Sequence, residues 1–224
     1  MKHTLNIAHR GFTRDFPDNT LEAFEAAINI PVDAIECDVH ETADGQFVVF
    51  HDPDISGRDI GRLSLAEIRE TLLAGRFRIP ILEETLGLCR DRVKLNVELK
   101  RVRSLERFVE TLREGMRAGD LFLTSFNPDL VAELADLAPD IRRGVITAMP
   151  LEDHVTLARD TRSDIIIVMF LTLSPDLVRQ AGEAGLPVFV WGFTDMDQVR
   201  AALELGVDGI ITDFPDQARA ELKR

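Results

Sequence analysis

The sequence of 224 residues has no tyrosine, a single tryptophan and only two cysteines, Cys37 and Cys89. Two cysteines are too few for a disulfide framework, so nothing indicates an oxidising compartment. The longest apolar run, Ile165 to Leu171, has the length of a buried strand and is much shorter than the roughly 18 residues of a membrane span. The N-terminus lacks the apolar stretch of a signal peptide. We therefore expect a soluble, cytoplasmic protein.

Positive charge is also scarce. The sequence has 26 basic and 39 acidic residues, which gives a formal net charge of -13 at pH 7. A field of that sign repels phosphate backbones and anionic lipid head groups. We therefore predict no nucleic-acid partner and no stable membrane association. The remaining composition, 45% hydrophobic and 29% charged, is typical of a globular protein.

Apolar, β-branched runs alternate with longer amphipathic segments along the chain, and no serine- or proline-rich linker separates them. Eight runs are predicted as strands: Leu5 to Ala8, Ala34 to Val39, Lys94 to Leu99, Leu121 to Ser125, Ile141 to Thr147, Asp164 to Phe170, Pro187 to Trp191 and Gly209 to Thr212. Eight segments are predicted as helices: Thr20 to Ile30, Leu82 to Arg90, Ser104 to Ala118, Pro128 to Leu137, Leu151 to Thr161, Pro175 to Ala184, Met196 to Leu205 and Pro215 to Leu222. This pattern predicts an α/β fold, a (β/α)8 TIM barrel, with one domain over residues 1–224. An open doubly wound sheet is the alternative.

One unit departs from this alternation. Asp44 and Gly45 form a hairpin signal that continues the second strand into the segment from Gln46 to Phe50. Residues 51–80 are therefore predicted as a short excursion outside the barrel. We expect a short helix from Leu65 to Leu72 in the excursion, with Ser64 as its N-cap.

Carboxylates lie at the predicted C-terminal ends of two strands. Glu36 and Asp38 are two residues apart, so both side chains leave the same face of the strand. Glu98 and Lys100 repeat this spacing on the next barrel strand. Three converging carboxylates favour a hard cation such as Mg²⁺ or Ca²⁺ over zinc. The alternative is a set of ion pairs with Lys100 and Arg10.

Two of the five histidines, His9 and His51, follow strands and adjoin charged residues. A pair of imidazoles can supply a general base and a general acid to one reaction. A lone histidine is more often a core or surface residue, and we interpret His3, His40 and His154 in that way.

A basic pair and an aromatic residue complete the candidate site. The planar guanidinium of Arg10 and the ammonium of Lys100 suit an anionic, phosphate-containing substrate. The alternative for Arg10 is an ion pair with Asp213 or Glu36. Trp191 either packs against an apolar edge of the substrate or belongs to the barrel core.

These residues occur in stretches whose order along the chain resembles that of the glycerophosphodiester phosphodiesterases. The stretches are His9-Arg10-Gly11, Pro17-Asp18-Asn19-Thr20-Leu21-Glu22-Ala23-Phe24, Glu36-Cys37-Asp38-Val39, Val49-Phe50-His51-Asp52-Pro53, Ile79-Pro80-Ile81-Leu82-Glu83-Glu84, Val97-Glu98-Leu99-Lys100, Ser125-Phe126 and the run from Gly206 to Pro215. The resemblance covers essentially the whole chain. The sequence departs from the family pattern at Asp18 (usually Glu), at Ile81 (usually Thr) and after Trp191.

The resemblance implies a (β/α)8 barrel that hydrolyses glycerophosphodiesters to glycerol 3-phosphate and an alcohol. It implies one divalent cation, Mg²⁺ or Ca²⁺, with Mn²⁺ as a further candidate. The implied roles are His9 and His51 as the acid and base pair, Glu36, Asp38 and Glu98 as metal ligands, Arg10 and Lys100 as phosphate-binding residues, and Trp191 at the glycerol end.

Two other functions stay open. A phosphodiesterase of lysophospholipids or phosphoinositide head groups would use the same site, with Phe12 and Phe16 near the acyl chains. A barrel that binds phosphorylated ligands without catalysis is the other, although such a protein is expected to have lost a metal ligand or a histidine. The sequence leaves the alcohol, the physiological cation and the oligomeric state open.

Overall fold

The structure, a computed structural model, describes residues 3–151 and 153–222. Its strands, numbered along the chain, are β1 (Leu5–His9), β2 (Ala34–Glu41), β3 (Phe47–Val49), β4 (Asp54–Ile55), β5 (Arg58–Asp59), β6 (Leu72–Leu73), β7 (Phe77–Arg78), β8 (Lys94–Arg101), β9 (Leu121–Ser125), β10 (Arg142–Thr147), β11 (Ile165–Met169), β12 (Val188–Trp191) and β13 (Gly209–Thr212). Its α-helices are α1 (Leu21–Asn29), α2 (Leu65–Ile68), α3 (Leu82–Cys89), α4 (Leu105–Gly115), α5 (Pro128–Leu137), α6 (His154–Asp160), α7 (Pro175–Glu183), α8 (Met196–Glu204) and α9 (Pro215–Leu222). Short 3-10 turns lie at Ile60–Arg62, Ala118–Asp120 and Phe170–Thr172.

Eight of the strands, β1, β2 and β8 to β13, form a closed parallel barrel. Closure is visible at β1, which pairs with β13 on one side (Ile7 opposite Ile211) and with β2 on the other (His9 opposite Glu36). An open sheet would leave an unpaired edge at this strand. The predicted (β/α)8 barrel is therefore confirmed, and the doubly wound alternative is wrong.

The barrel interior is filled by apolar side chains that come only from strands. Phe122 and Phe189 meet edge to face there, with ring centroids 6.2 Å apart. Gly209 makes room for this packing, because a Cβ at that position would lie 2.7 Å from the ring of Phe189. A filled interior leaves the C-terminal ends of the strands as the place for a site, as in other barrels of this kind.

The predicted hairpin after the second strand is present. β3 runs antiparallel to β2, with Val39 opposite Val49. This pairing carries the chain back toward the barrel, so that the Phe50 N–H donates to the Asp38 carbonyl at 3.0 Å. The excursion that follows has a small core of its own, which includes Ile55, Ile60 and Ile68. His51, the residue after Phe50, is thereby held near Asp38.

Three predicted helices differ from the structure by three residues or more. The helix expected from Ser104 to Ala118 ends at Gly115, and Ala118 begins a 3-10 turn. The helix expected from Leu65 to Leu72 ends at Ile68, because Leu72–Leu73 pair with Phe77–Arg78 in a second small hairpin. Its predicted N-cap is present: the Ser64 side chain accepts a hydrogen bond from the backbone N–H of Glu67.

The helix expected from Leu151 to Thr161 begins at His154, where the Asp153 side chain accepts from the Thr156 N–H at 2.8 Å. Glu152, inside that prediction, lies outside the described residues, as do residues 1–2 and 223–224 of the predicted domain. Within the described residues, no helix has both the length and the hydrophobicity to cross a membrane.

Candidate active site

The three predicted carboxylates meet at the C-terminal end of the barrel. Glu36 and Asp38 lie on β2, and Asp38 is opposite Glu98 on the neighbouring strand β8. One carboxylate oxygen from each residue lies within 4.8 Å of the other two, and all three residues are buried. The strand register therefore builds an all-oxygen cluster that could hold a hard divalent cation.

Two cations partly compensate this cluster. The Lys100 Nζ lies 3.1 Å from the Asp38 Oδ1 and also contacts the Glu98 carboxylate. The Arg10 Nε lies 3.1 Å from the Asp38 Oδ2. The ion-pair alternative is thus realised at Asp38 and Glu98. Three carboxylates against two cations still leave one excess negative charge.

Glu36 carries the clearest sign of a missing positive partner. Its Oε2 accepts a hydrogen bond from the backbone N–H of Arg10 at 3.1 Å. Its Oε1 is buried and has no hydrogen-bond partner among the described residues. A buried carboxylate oxygen without a partner is costly, and a bound cation removes that cost. The donor set therefore fits a hard divalent cation.

The pKa values of the three carboxyl groups move in different directions. Burial, together with the charges of Asp38 and Glu98, raises the pKa of Glu36 well above its usual range. Burial and the charge of Asp38 also raise the pKa of Glu98. Burial opposes ionisation of Asp38, but Lys100 and Arg10 outweigh it and lower its pKa. Near neutral pH the cluster therefore favours either a shared proton or a bound cation.

Asn19 supports this cluster, and sequence reasoning gave it no role. Its Nδ2 donates to the Asp38 Oδ2 at 2.8 Å, and its Oδ1 accepts from the Asp38 N–H at 3.2 Å. The backbone of Asn19 has a φ of 56° and lies just before Thr20, the N-cap of α1. Asparagine tolerates this left-handed conformation better than most residues. The sequence feature that could have drawn attention to Asn19 is its position directly before the N-cap of a predicted helix.

His9 is held by a carboxylate from the opposite end of the chain. Its Nδ1 lies 2.7 Å from the Oδ1 of Asp213, which follows β13. Burial opposes ionisation of Asp213, but the hydrogen bond from His9 outweighs it and lowers the pKa of Asp213. The His9 Nε2 lies 4.0 Å from the Glu36 Oε2. A carboxylate on one ring nitrogen thus leaves the other nitrogen beside the acidic cluster.

Arg10 does not make an ion pair with Asp213 or Glu36, the two partners that we considered for its side chain. Its guanidinium contacts Asp18 at 3.2 Å and Asp38 at 3.1 Å, while Asp213 bonds to His9. Only the backbone N–H of Arg10 reaches Glu36. Asp18 therefore serves as an anchor for the guanidinium at the edge of the site.

His51 has a carboxylate partner as well. Its Nδ1 lies 2.8 Å from the Oδ1 of the adjacent Asp52. The buried His40 fixes its backbone, since the His40 Nε2–H donates to the His51 carbonyl at 3.1 Å. His154 is also buried, and His3 pairs with an aspartate at the surface. These three histidines occupy core or surface positions outside the cavity.

A single cavity of about 100 Å³ brings most of the predicted residues together. Its ionisable lining residues are His9, Arg10, Glu36, His51, Glu98 and Lys100. Its apolar lining residues are Ile146, Ile167, Ile211, Phe126 and Trp191, and its floor includes Asn96 and Thr124. The two sets meet where the Lys100 Nζ lies 5.5 Å from the centroid of the Phe126 ring. Asp38 is not a lining residue, but it pairs with Arg10 and Lys100, which are. The cavity therefore combines charged and apolar groups.

Trp191 lines the cavity and also packs against the interior core. Its Nε1 donates to the Thr147 carbonyl at 3.3 Å, and its ring meets Phe126 edge to face at 5.5 Å. Its packing agrees in part with the alternative of a core residue, and its contact with a substrate stays a prediction.

Sequence reasoning also missed the polar floor. Thr124 on β9 donates from its hydroxyl to the Asn96 Oδ1 at 3.0 Å. Asn96 lies two residues before Glu98 on β8, so both side chains leave the same face of the strand. This spacing of two residues could have predicted from the sequence that Asn96 faces the same side as Glu98. The floor offers hydrogen-bonding groups below the acidic cluster.

The two phenylalanines of the first loop are engaged with the protein itself. Phe12 packs against the core between strands and helices. Phe16 meets Phe77 of the excursion edge to face at 6.1 Å. A contact of either residue with an acyl chain, as the lysophospholipid alternative expects, stays a prediction.

The chain resembles known proteins over almost its full length. The model of the glycerophosphoryl diester phosphodiesterase family matches residues 9–217. A glycerophosphodiester phosphodiesterase from Caldanaerobacter subterraneus is 29% identical over 231 residues, covering 95% of this chain and 95% of the relative. A glycerophosphodiester phosphodiesterase from Bacillus altitudinis is 30% identical over 257 residues, covering 98% of this chain and 100% of the relative.

Structural similarity agrees with the sequence matches. The crystal structure of a glycerophosphodiester phosphodiesterase from Parabacteroides distasonis is 27% identical, with a TM-score of 0.88, covering 99% of this chain and 98% of that chain. The matched segment includes all eight barrel strands except the first four residues of β1, together with the whole cavity. The chain therefore belongs to the glycerophosphoryl diester phosphodiesterase family, a family of phosphoric diester hydrolases.

Proposed function

We propose that this cavity hydrolyses a glycerophosphodiester to glycerol 3-phosphate and an alcohol, with one divalent cation and two histidines. The observation that carries the proposal is that both imidazoles, Arg10, Lys100 and two of the three clustered carboxylates line one cavity. Hydrolysis of a phosphodiester requires positive charge to neutralise the two non-bridging oxygens, a general base for the nucleophile and a general acid for the leaving group.

The cation is Mg²⁺ or Ca²⁺, with Mn²⁺ as a further candidate, and Glu36, Asp38 and Glu98 hold it. The support is the all-oxygen donor set and the partnerless oxygen of Glu36. When bound, the cation supplies positive charge to the phosphate oxygens.

Arg10 and Lys100 bind the phosphate beside the cation. Their ion pairs with Asp38 hold both side chains at the cavity wall, so little side-chain freedom is lost when substrate binds. The guanidinium presents parallel donors to two phosphate oxygens, and the ammonium adds a point charge.

His9 is the base of the first step. Because Asp213 accepts the Nδ1 hydrogen, the His9 Nε2 has a free lone pair for the proton of the glycerol 2-hydroxyl. The hydroxyl oxygen attacks phosphorus and forms a cyclic phosphate as the bond to the leaving oxygen breaks. His51 gives its Nε2 proton to that oxygen, which departs as the alcohol. Water then opens the ring with the two histidines in reversed roles.

The apolar lining of the cavity holds the glycerol in this proposal. Trp191 and the isoleucines that line the cavity would contact the carbon atoms, and Asn96 and Thr124 would offer hydrogen bonds to hydroxyl groups. The mechanism requires the 2-hydroxyl to lie within reach of the His9 Nε2.

The test compares histidine variants in the release of glycerol 3-phosphate from glycerophosphocholine. His9→Ala and His51→Ala are each expected to lower kcat about 10²- to 10⁴-fold, because each removes a positioned acid or base. His3→Ala, a surface histidine paired with Asp33, serves as the matched control and keeps wild-type kcat. Wild-type kcat in His51→Ala would exclude the two-histidine scheme, and no hydrolysis by the wild type would favour a binding protein.

A further inference from the structure

The chain that carries His51 is hydrogen-bonded to β2 at two successive residues. The Phe50 N–H donates to the Asp38 carbonyl at 3.0 Å. The His40 Nε2–H donates to the His51 carbonyl at 3.1 Å. The first bond extends the backbone ladder between β2 and β3, whereas the second comes from a side chain. An imidazole thus takes over where the backbone pairing stops.

The backbone ladder stops at Asp38 because the N–H of that residue has another partner. It donates to the Oδ1 of Asn19 at 3.2 Å. The chain after Phe50 then enters the excursion, where the Pro53 carbonyl accepts from the N–H of Ile60. The hydrogen bond from His40 therefore still joins the chain to β2 after the ladder has ended.

The surroundings of His40 give its imidazole this one hydrogen bond. The residue is 2% exposed, and its Nδ1 is buried without a hydrogen-bond partner among the described residues. A buried polar nitrogen without a partner is costly, so an apolar side chain would fill the same space with less loss. The bond to the His51 carbonyl is the contact that favours a histidine here.

The side chain of His51 has a weaker restraint on its ring. Its Nδ1 lies 2.8 Å from the Oδ1 of Asp52. The side chains of the two residues are 39% and 65% exposed. An exposed ion pair holds its geometry weakly, because water competes for both groups. The position of the His51 imidazole therefore depends on the backbone from which it projects, and His40 holds that backbone.

The same strand positions the acidic cluster. Glu36, Asp38 and His40 follow one another at intervals of two residues on β2, so their side chains leave the same face of the strand. Glu36 and Asp38 belong to the carboxylate cluster, and His40 is the next residue in that row. A single strand thereby sets the distance between the cluster and the segment that carries His51.

We propose that His40 is a positioning residue for the reaction: its bond to the His51 carbonyl holds the His51 imidazole within reach of the leaving oxygen. This inference rests on the proposed function, in which His51 gives its Nε2 proton to the departing alcohol. His40 transfers no proton and touches no substrate. Loss of its bond should impair protonation of the leaving group and spare the other parts of the site.

The experiment compares two substrates that differ in their need for an acid. The choline of glycerophosphocholine must be protonated as it leaves, whereas para-nitrophenol leaves a glycerophosphodiester as a stable anion. His40→Leu removes the donor and keeps an apolar side chain of similar size. It should lower kcat/KM about 10- to 100-fold for glycerophosphocholine and less than about threefold for the nitrophenyl diester, because only the first needs a well-placed acid.

Two amide variants separate the hydrogen bond from the packing. His40→Gln should keep near wild-type kcat/KM for both substrates, because its amide nitrogen can reach the His51 carbonyl. His40→Asn is too short to reach it and should behave like His40→Leu, which also keeps the test available if the leucine variant does not fold. His154→Leu changes the other buried histidine, outside the cavity, and should leave both values unchanged.

The wild-type protein offers a test without any substitution. The bond to the His51 carbonyl requires a proton on the Nε2 of His40, and NMR of the imidazole nitrogens shows which nitrogen carries it. We expect the Nε2–H form. A neutral His40 with its proton on Nδ1 would overturn the proposal.

The kinetic results distinguish the positioning role from the proposed function. An equal fall in kcat/KM for both substrates in His40→Leu would indicate a general structural role and overturn the proposal. So would wild-type kcat/KM for glycerophosphocholine in His40→Leu, or no rescue in His40→Gln. His51→Ala should show the same selective loss. An equal loss for both substrates in His51→Ala, or no hydrolysis by the wild type, would instead contradict the proposed function.

Discussion

At the scale of single residues, the two catalytic candidates differ in the carboxylate that orients them. His9 is bonded to Asp213, which closure of the barrel brings from the last strand, whereas His51 is bonded to the adjacent and more exposed Asp52. Water replaces an exposed hydrogen-bond partner more easily than a half-buried one. His9 therefore depends on its partner more strongly than His51 does.

This difference predicts unequal effects of two isosteric substitutions. Asp213→Asn is expected to lower kcat about 10- to 100-fold, because an amide no longer selects the Nδ1–H tautomer and no longer stabilises the imidazolium. Asp52→Asn, as the matched change at the exposed partner, should have a smaller effect. Steady-state kinetics on glycerophosphocholine at saturating metal provide the measurement. An equal fall in kcat in the two variants would contradict the stronger dependence of His9 on its carboxylate partner.

The two cysteines provide a prediction that does not depend on the reaction. Burial raises the pKa of the Cys89 thiol to about 12, and burial also raises that of Cys37. The thiolate is the reactive form, so neither residue should be alkylated by iodoacetamide at pH 8.5 in the native protein, and both should be alkylated in denaturant. Mass spectrometry of the peptides reads out the result. Native labelling of Cys89 would contradict its burial.

The same pKa shift sets a sign for the pH dependence of stability. An unfolded cysteine ionises near pH 8.5, whereas the folded Cys89 resists ionisation up to about 12. Its contribution to the free energy of unfolding is therefore complete below the unfolded pKa and is lost as pH rises toward 12.

Some positions of site residues could be predicted from the sequence, and some contacts could not. The i, i+2 spacing placed Glu36 and Asp38 on one face, because side-chain direction in a strand alternates locally. The pairing of His9 with Asp213 joins residues 204 positions apart, so no local pattern contains it. Asn19 escaped notice for a different reason: its role depends on a left-handed backbone that only the folded loop reveals.

At the scale of elements, a glycine in a strand and a glycine in a helix differ in the space that is available for a side chain. A Cβ at Gly209 on β13 would lie 2.7 Å from the Phe189 ring, whereas a Cβ at Gly87 on α3 would meet no atom within 4 Å. Gly209→Ala should destabilise the protein by about 1 to 3 kcal/mol through overpacking. Gly87→Ala should stabilise it by about 0.5 to 1 kcal/mol through helix propensity.

Urea unfolding of the two variants beside the wild type measures both changes. The urea concentration at the midpoint should fall for Gly209→Ala and rise for Gly87→Ala. The dependence of the free energy of unfolding on urea concentration should stay unchanged. A Gly209→Ala variant as stable as the wild type would mean that the barrel interior is less tightly packed than described.

Element prediction succeeded where hydrophobic periodicity was long and failed where it was short. The strand predicted from Asp164 to Phe170 is β11, Ile165–Met169, because a run of β-branched residues has no competing helical pattern. The helix expected to reach Leu72 stops at Ile68, since two-residue strands form the β6–β7 hairpin there. Such short pairings leave too few residues to establish a period.

At the scale of the whole molecule, the barrel is closed by β1, which contacts both ends of the strand order. No strand of the barrel is an edge, so no part of the barrel is expected to unfold alone. We therefore predict one cooperative transition for the domain proposed over residues 1–224.

The composition makes this prediction easy to measure. With one tryptophan and no tyrosine, the fluorescence reports only Trp191 at the mouth, whereas far-ultraviolet circular dichroism reports all helices. The two thermal transitions should coincide within error. A fluorescence transition at clearly lower temperature would show that the mouth unfolds separately from the barrel.

Strand number and order were accessible from the sequence because each unit repeats one strand and one helix. The contacts that close the ring were not, because they join the first strand to the last. The active site depends on that closure, since Asp213 reaches His9 only across the β1–β13 pair.

The central claim is that Glu36, Asp38 and Glu98 hold a cation that the hydrolysis of glycerophosphodiesters requires. The most direct test is the release of glycerol 3-phosphate from glycerophosphocholine by metal-stripped protein, before and after addition of Mg²⁺, Ca²⁺ or Mn²⁺. We predict no release without metal, restoration by at least one cation, and no restoration in Glu36→Gln, while the exposed control Glu83→Gln behaves as wild type. Full activity of the stripped protein, or metal-dependent activity in Glu36→Gln, would contradict the account.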